Sequence, residues 1–379
     1  MLRPQRARWE MRFACGGEDA LQVLEEFSCD VIVTDMRMPG MDGARLLEVV
    51  RNRFPGAVRI ILSGHCEMES TMRAVPVAHQ FLQKPCDSGS LVHSLERACE
   101  LTSTLQGTPV RSIVGAVGEL PCLPGTSVAL MRELEDPDVP VSRIGQIVEQ
   151  DVAIAAKVMQ LVNSAFFGRS QGISSIQHAV TFLGVDVLKQ LVVAAEIFRA
   201  FRPVREMEGF SLTQIQHHSH RVAAIVAVLP LPAAMVPVAT VAALLHDVGK
   251  LVLASRLPDS CDQVLALAAS DHIPLHEAEL QVIGASHAEI GGYLLDLWGL
   301  PAVVVSAVTR HHRPAMEAGD NPSFGAPSAI YFANLLANVH APDHSSFNLP
   351  DLDQEYLRAV GMENRFEAWR ELCQTVESP

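Results

Sequence analysis

The sequence predicts two domains of different class: a doubly wound α/β domain, followed by an all-α domain. In residues 13–101, short runs rich in Val and Ile alternate with helical patterns, which is typical of a parallel sheet covered by helices. From about residue 119 onward, only helical patterns follow. The expected boundaries are 1–101 for the α/β domain, 102–116 for a linker, 117–313 for the helical domain and 314–379 for a helical extension and tail.

The composition indicates a folded chain with an acidic balance. Of the 379 residues, 49% are hydrophobic and 19% are charged, and the net charge is −14. The negative charge disfavours nucleic acid or an anionic membrane as the main partner, because both require a basic surface. No apolar run reaches the length of about 18 residues that a membrane span needs. The eight cysteines include no C-x-x-C pair, so a cytoplasmic protein with reduced thiols is expected.

Three polar side chains are predicted to meet at one edge of the sheet. The runs 30–35, 58–64 and 79–85 read as buried parallel strands, and they end near Asp35, Ser63 and Lys84. Open parallel sheets bind ligands at this carboxyl edge. A carboxylate that accepts a phosphoryl group, with a hydroxyl and an ammonium for the phosphoryl oxygens, suits phosphoryl transfer. An isolated Asp after a strand is more often a turn former, but the three residues together favour a site.

These residues resemble the receiver domain of bacterial two-component response regulators, which has the CheY-like fold. The resemblance covers roughly residues 11–101. It implies that Asp35 accepts a phosphoryl group from a sensor histidine kinase or another phosphodonor. It further implies four switch residues: Ser63, Phe81, Lys84 and Pro85. The family's first strand, with its Mg²⁺-binding acidic pair, has no match here, and 12–17 matches the second strand. Efficient Mg²⁺-dependent phosphorylation of Asp35 is therefore not expected.

Histidines in the helical domain form a candidate metal site. Metal sites recruit histidine from several elements, and adjacent ligands can reach one ion at a helix end. The candidates are His218, His246, Asp247, His287, His311 and His312. The alternative for Asp247 and Lys250 is that they merely complement a helix end, with Gly249 as the terminating glycine. His178, His217 and His220 are expected to be solvated or partly buried helix residues.

The helical domain resembles the HDOD domain, an output module related to the HD phosphohydrolases. The resemblance runs from "ELPCLPGTSVALMREL" through "ALLHDVGKL" to "SHAEIGGYLLDLWGLP". It implies that the six candidates match metal ligands of the two-metal phosphodiesterases and that Lys250 matches a phosphate-contacting lysine. Asn334 stands where the family's final Asp is expected, and an amide is a weaker ligand for hard cations. HDOD domains are mostly regarded as having lost hydrolysis.

Two functions follow from these features. The first is a response regulator whose receiver domain controls an HDOD domain that binds an unidentified protein partner, with a homo-oligomer left open. The alternative is a metal-dependent phosphohydrolase that acts on a nucleotide or cyclic dinucleotide, with Asp247 and Lys250 in its catalytic site. A divalent metal fits both functions.

Overall fold

The computed structural model describes residues 5, 8–64, 73–86, 88–104, 109–117, 120, 124–136, 139–163, 172–184, 188, 211–315, 323–340 and 352–373. Within them, a small parallel sheet with its helices is followed by helices alone. The predicted order of an α/β domain and then an all-α domain is therefore confirmed.

The described part of the N-terminal domain contains three strands and three helices. Its elements are α1 Gly17–Glu26, β1 Val31–Asp35, α2 Gly43–Arg53, β2 Val58–Gly64, β3 Gln80–Lys84 and α3 Ser88–Thr104. All strand pairs are parallel, in the order β1-β2-β3. Asp35 is level with Leu62, and Gly64 is level with Lys84, so the strands end at one edge as predicted.

The strand expected over residues 12–17 is not formed. Residues 12–14 have no regular structure, and α1 begins at Gly17. A strand needs a neighbouring strand to take its backbone hydrogen bonds. In the described part of the chain, the sheet ends at β1, and no strand pairs with residues 12–14.

The rest of the described chain is helical. The elements are α4 Pro109–Gly115, α5 Pro124–Glu135, α6 Val141–Glu149, α7 Val152–Asn163, α8 Leu212–Val228, α9 Val236–Leu245, α10 Val248–Arg256, α11 Pro258–Asp271, α12 Leu275–Val282, α13 His287–Leu297, α14 Ala302–Thr309, α15 Ala326–His340, α16 Gln354–Ala359 and α17 Phe366–Cys373. Residues 176–184 are also helical. The tail beyond Cys373 lies outside the described residues.

One segment of the described chain, Val236–Arg256, is long and apolar enough to cross a membrane, with a mean hydropathy of 1.6. It comprises α9 and α10, and 72% of its most apolar window is buried inside the fold. Such burial is typical of core helices in a folded domain.

The two domains share one hydrophobic core. Ile60 and Phe81 of the sheet belong to the same buried cluster as Leu294 and Val304 of the helical domain. The expected linker includes helix α4, whose Val114 is fully buried. The receiver domain is therefore packed against its neighbour, and burial of apolar surface stabilises the contact.

A buried basic group lies near this contact. The side chains of Arg59 and His79 are 0% and 3% exposed. The Arg59 backbone N–H donates to His79 Nδ1 at 3.1 Å, and Arg59 Nη2 lies 2.7 Å from His79 Nε2. Burial lowers the pKa of His79 well below its ordinary value, and the charges of Arg59 and Lys157 lower it further. His79 is therefore held in its neutral form.

We expect this histidine to make the full chain sensitive to acid. The unfolded chain protonates His79 near its ordinary pKa of 6.5, whereas the folded chain does not. Stability is therefore complete above that pH and falls below it, by up to about 1.4 kcal/mol per pH unit for this one group. Urea unfolding with a chelator present, followed from about pH 7.5 to about pH 5.5, measures the slope.

The variant His79→Gln should flatten this pH dependence by roughly one proton. The matched control is His217→Gln, which removes an exposed histidine and should leave the slope unchanged. Equal slopes in the wild type and His79→Gln would show that His79 is not held neutral.

Candidate functional site

The receiver residues gather at the carboxyl edge of the sheet. Lys84 Nζ forms an ion pair with Asp35 Oδ2, and both side chains are 39% exposed. The backbone N–H of Arg37 donates to Asp35 Oδ1 at 3.3 Å. Ser63 is fully buried one residue before the end of β2. An accessible carboxylate beside an ammonium is the arrangement that a phosphoryl acceptor requires.

The other receiver candidates lie on or just after β3. Phe81 is fully buried in the shared core, and the Lys84–Pro85 peptide bond is cis. All the predicted receiver residues therefore lie at the end of β1, on β2, on β3 or directly after β3. Their roles in a switch stay predictions.

The His-Asp pair lies at a break between two helices. Helix α9 ends at Leu245 with His246 as its C-cap, and α10 begins at Val248. Asp247 occupies the N-cap position of α10, but its side chain makes no capping hydrogen bond. Gly249 lies inside α10, so its expected role as a terminating glycine is wrong. The break lets neighbouring side chains turn toward the same point, which a continuous helix forbids.

The remaining histidines come from three other helices. His218 lies on α8, His287 is the first residue of α13, and the pair His311 and His312 follows α14. A capping box starts α13, because Ser286 and Glu289 bond reciprocally. The structure thus brings all six predicted ligands together in two groups, in each of which the ligand atoms lie within 4.8 Å of one another: His218, His246 and Asp247, and His287, His311 and His312.

Asp247 lies at the centre of these residues and is 1% exposed. Its Oδ2 is 2.8 Å from Lys250 Nζ and 3.4 Å from His246 Nε2. Its Oδ1 is 3.3 Å from His287 Nε2 and 3.8 Å from His311 Nε2. One buried carboxylate therefore connects the two groups.

The hydrogen bonds of three histidines determine which ring nitrogen carries the hydrogen. His246 Nδ1 lies 2.6 Å from Ala243 O, and His311 Nδ1 lies 2.7 Å from Val308 O. Because a carbonyl oxygen only accepts, each Nδ1 must carry the hydrogen. His287 Nδ1 similarly lies 2.7 Å from the Glu279 carboxylate. In the neutral rings, the Nε2 lone pairs then point toward Asp247, as in metal-binding histidines that are oriented by an outer acceptor.

Sequence reasoning missed two buried residues on α12. Glu279 is 2% exposed and accepts from both the backbone N–H and Nδ1 of His287. The ring of His276 stacks on His312, with centroids 4.1 Å apart. Neither residue stands beside a recognisable motif, since each is defined by its partner in the fold. A metal-binding histidine needs an acceptor for its other ring N–H, and this requirement was the one signal that could have predicted a residue like Glu279.

Asn334 is the hydrogen-bond partner of His218. Asn338 Nδ2 lies 2.9 Å from Asn334 O, which only accepts, so this Asn338 atom must be a donor. The same Nδ2 lies 3.2 Å from the side chain of Asn334, which identifies the facing atom as Oδ1. That oxygen is 2.8 Å from His218 Nε2. His218 Nε2 must therefore carry a hydrogen and donate it to the amide.

Burial and neighbouring charges set the protonation of the cluster. Burial lowers the pKa of His218 to about 3, and it lowers the pKa of His246 and of His311 as well. Burial also opposes charge on His287 and Asp247, but here it is outweighed. Glu279 and Asp247 raise the pKa of His287, while His246, Lys250 and His287 hold the pKa of Asp247 well below its usual value.

The three histidines expected to have no role in the site lie apart from it. His178 and His217 are exposed, and His220 is partly buried. Burial lowers the pKa of His220, which bonds to backbone groups of Glu149 and Gln150. None of the three belongs to the metal-ligand groups found among the described residues.

The residues present fit a divalent ion. His246 Nε2 and Asp247 Oδ1 are buried and make no hydrogen bond. Buried polar atoms in native structures nearly always have a partner, so these two atoms indicate a bound partner such as a cation. Imidazole nitrogens with one carboxylate suit Zn²⁺, Fe²⁺ or Mn²⁺ better than Mg²⁺, which prefers oxygen ligands.

A doubly wound receiver-type sheet followed by an HD-like helical domain defines a class of two-domain signalling proteins. The sequence profile of the HDOD domain matches residues 120–314, and that of the response regulator receiver domain matches residues 1–96. This chain belongs to the HDOD family and is a response regulator of the two-component type. A receiver domain implies a phosphodonor such as a histidine kinase.

Similar proteins agree with this assignment. An uncharacterised protein of Treponema pallidum (strain Nichols) is 29% identical over 225 residues, which is 59% of this chain and 43% of that protein. The DNA-binding transcriptional regulator NtrC of Escherichia coli (strain K12) is 36% identical over 83 residues, 22% of this chain and 18% of NtrC. The chain therefore spans less than half the length of these curated relatives.

Among solved structures, the MmoQ response regulator of Methylococcus capsulatus (strain Bath) shares the fold. The TM-score is 0.52 at 20% sequence identity, over 66% of this chain and 97% of the MmoQ chain. At this identity, the likeness concerns the fold alone.

We expect Glu279→Gln to weaken metal binding by about 10- to 100-fold, because a neutral amide orients His287 less strongly than a carboxylate does. Isothermal titration of the metal-free full chain with Mn²⁺ or Zn²⁺ measures this change. Glu277→Gln removes the same charge two residues away on α12 and serves as the control. If both variants bind equally well, Glu279 has no part in holding the ligands.

Proposed function

We propose that this chain is a response regulator in which the receiver domain controls a non-hydrolytic HDOD domain that acts by binding another protein. In this proposal, Asp35 accepts the phosphoryl group and the histidine cluster holds one divalent ion as a structural element. The observation that carries the proposal is the bond between His218 Nε2 and Asn334 Oδ1.

This bond changes the ligand set in two ways. The bond occupies the Nε2 atom that His218 would offer to an ion. In addition, Asn334 provides a neutral amide where an anionic carboxylate is expected. The ligands that remain are His246, Asp247, His287, His311 and His312. A two-metal phosphodiesterase needs both ions to stabilise the attacking and leaving oxygens. Five ligands with a single carboxylate suit one ion better than two.

The burial of the cluster also favours a structural ion. His246 and His311 are 0% exposed, and Asp247 and His287 are each 1% exposed. Structural metal sites are closed by protein ligands, whereas catalytic sites keep a position open for water or substrate. A bound ion would link the α9–α10 break to α13 and to the end of α14. It would thereby hold together helices that are far apart in the sequence.

The ion would supply positive charge to the centre of the cluster. Lys250 Nζ already bonds to Asp247 Oδ2, and the Glu279 carboxylate bonds to His287. In our proposal, Glu279 keeps the His287 hydrogen on Nδ1, and Lys250 holds Asp247 in place. Metal ligands bind in their deprotonated forms, so binding of the ion would compete with protons for the Nε2 atoms.

The alternative function is a metal-dependent phosphohydrolase. The observation that favours it is the pair of unpartnered atoms, His246 Nε2 and Asp247 Oδ1, with Lys250 beside them. A metal ion there would activate a water molecule for attack on phosphorus, and Lys250 would contact the phosphate.

One experiment separates the two functions. The purified full chain is loaded with Mn²⁺, Fe²⁺ or Zn²⁺ and assayed against bis-p-nitrophenyl phosphate and a panel of cyclic dinucleotides, in parallel with Asp247→Asn. We expect a stoichiometric ion and equal background rates for both proteins. Turnover by the wild type that is lost in folded Asp247→Asn would establish the hydrolase and overturn our proposal.

The proposed role in protein binding is tested with the receiver aspartate. Crosslinking in cells that carry the full chain or Asp35→Ala should give partner bands whose intensity differs between the two proteins. Glu26→Ala, which removes an exposed carboxylate of the same domain outside the phospho-acceptor position, is the control. Identical crosslinks for the wild type and Asp35→Ala would remove the receiver from control of binding.

We expect Asn334→Asp to strengthen metal binding by about tenfold or more, because it adds a negative ligand. Isothermal titration measures the affinity, and the stoichiometry shows whether a second ion enters. Asn52→Asp adds the same charge at an exposed position and should bind like the wild type. No gain in affinity would mean that Asn334 does not limit the site.

A further inference from the structure

The receiver domain holds the helical domain at the corner where α13 turns toward α14. Arg97 on α3 donates from Nε to Asp296 Oδ1 at 3.0 Å and from Nη2 to Leu300 O at 3.2 Å. Its Nη2 also forms an ion pair with Asp296. Gln80, the first residue of β3, donates from Nε2 to Leu297 O at 3.1 Å. The receiver therefore makes both a charged contact and a neutral one with this corner.

The same strand leads back to the phospho-acceptor. Strand β3 carries Gln80 at its first position and Lys84 at its last, and Lys84 pairs with Asp35. A change at Asp35 that moves Lys84 would act on a strand of five residues whose other end contacts α13. Phe81 fixes this strand in the core, where it is fully buried.

The two helices of the corner carry one of the two ligand groups. Helix α13 begins at His287, and α14 ends just before His311 and His312. The ten residues from His287 to the corner span about 15 Å at the usual helical rise. The helices pack closely, because a Cβ atom on Gly292 would lie 1.9 Å from Thr309 Oγ1. They should therefore shift together when the corner shifts.

Asp247 and its group belong to other helices. His218 lies on α8, and His246 and Asp247 lie between α9 and α10. Helix α13 touches α10 at Gly249, where a Cβ atom would lie 1.9 Å from His287 O. His287 and Asp247 face each other across this crossing, where His287 Nε2 lies 3.3 Å from Asp247 Oδ1. A sliding or rotation of α13 at the crossing would change that distance.

We propose that Arg97 is a positioning residue through which the receiver domain sets the geometry of His287, His311 and His312 relative to Asp247. The proposal rests on the proposed metal-binding function of the cluster and assigns a means of regulating it. By linkage, an ion bound at the cluster must in turn favour one position of the receiver domain.

The test compares the full chain with Arg97→Met, which keeps the apolar part of the side chain and removes the charged contact. We expect Co²⁺ binding, followed by its d–d absorption, to weaken by about fivefold or more. Hydrogen exchange of the metal-free protein should become faster in residues 287–312, a readout that needs no ion. Arg97→Lys restores the charge and should recover part of both effects.

The matched control is Arg53→Met on α2. Arg53 also forms an ion pair within the receiver domain, with Glu25, but both side chains are about half exposed. This variant should leave Co²⁺ affinity and exchange in residues 287–312 unchanged. Asp296→Asn removes the contact from the other domain, and it replaces Arg97→Met if that variant fails to fold.

The outcomes separate this inference from the proposed function. Weaker Co²⁺ binding with faster exchange, absent in the control, supports both. Faster exchange in a wild-type background that binds no ion supports the coupling and rejects the metal. Unchanged exchange and unchanged Co²⁺ affinity in both Arg97→Met and Asp296→Asn overturn the inference, whatever the wild type binds.

Discussion

The helical domain depends on how it accommodates one buried carboxylate. Asp247 is 1% exposed, and a charge at such a position is costly unless it is paired. Lys250 is its hydrogen-bonded partner, and His287, whose own pKa is raised by Glu279 and Asp247, lies 3.3 Å from its other oxygen. The break between α9 and α10 exists at this residue, and α13 approaches it closely enough for backbone contact. The arrangement of the five helices that supply the cluster is thus tied to the charge of a single side chain.

The packing of the two domains determines how the receiver can act on the helices around Asp247. Sheet and helical domain share one hydrophobic core, and helix α4 fills part of the segment expected to be a linker. A receiver on a free tether can act only by local concentration or by masking a surface. A receiver packed into its neighbour can act by favouring one of two packed arrangements, because interfaces of this kind shift between discrete states. The shared core therefore supports control by a change of packing.

Local patterns predicted much of the fold, whereas tertiary partners were beyond their reach. The strands around Asp35 and the capping box at Ser286 follow from residue periodicity and short-range hydrogen bonds. Glu279 was missed because its role comes from His287, eight residues away on another helix. The terminating role expected of Gly249 was wrong, because Gly249 lies inside α10, where its lack of a side chain lets α13 approach closely. The strand expected over residues 12–17 is not formed. Strand formation depends on a neighbouring strand, which the pattern within these residues cannot reveal.

The two ligand groups are subject to different influences, and this is a reason why we propose signalling rather than catalysis for the cluster. Asn334 acts on the first group through His218, while Arg97 contacts the corner of the helices that carry the second group. Catalysis requires ligands held rigidly in one geometry, since small displacements of reacting groups cost large factors in rate. A cluster whose halves lie on separately held helices is suited to report their relative position. An ion that binds one arrangement more tightly would stabilise that arrangement by its differential affinity alone, with no bond broken.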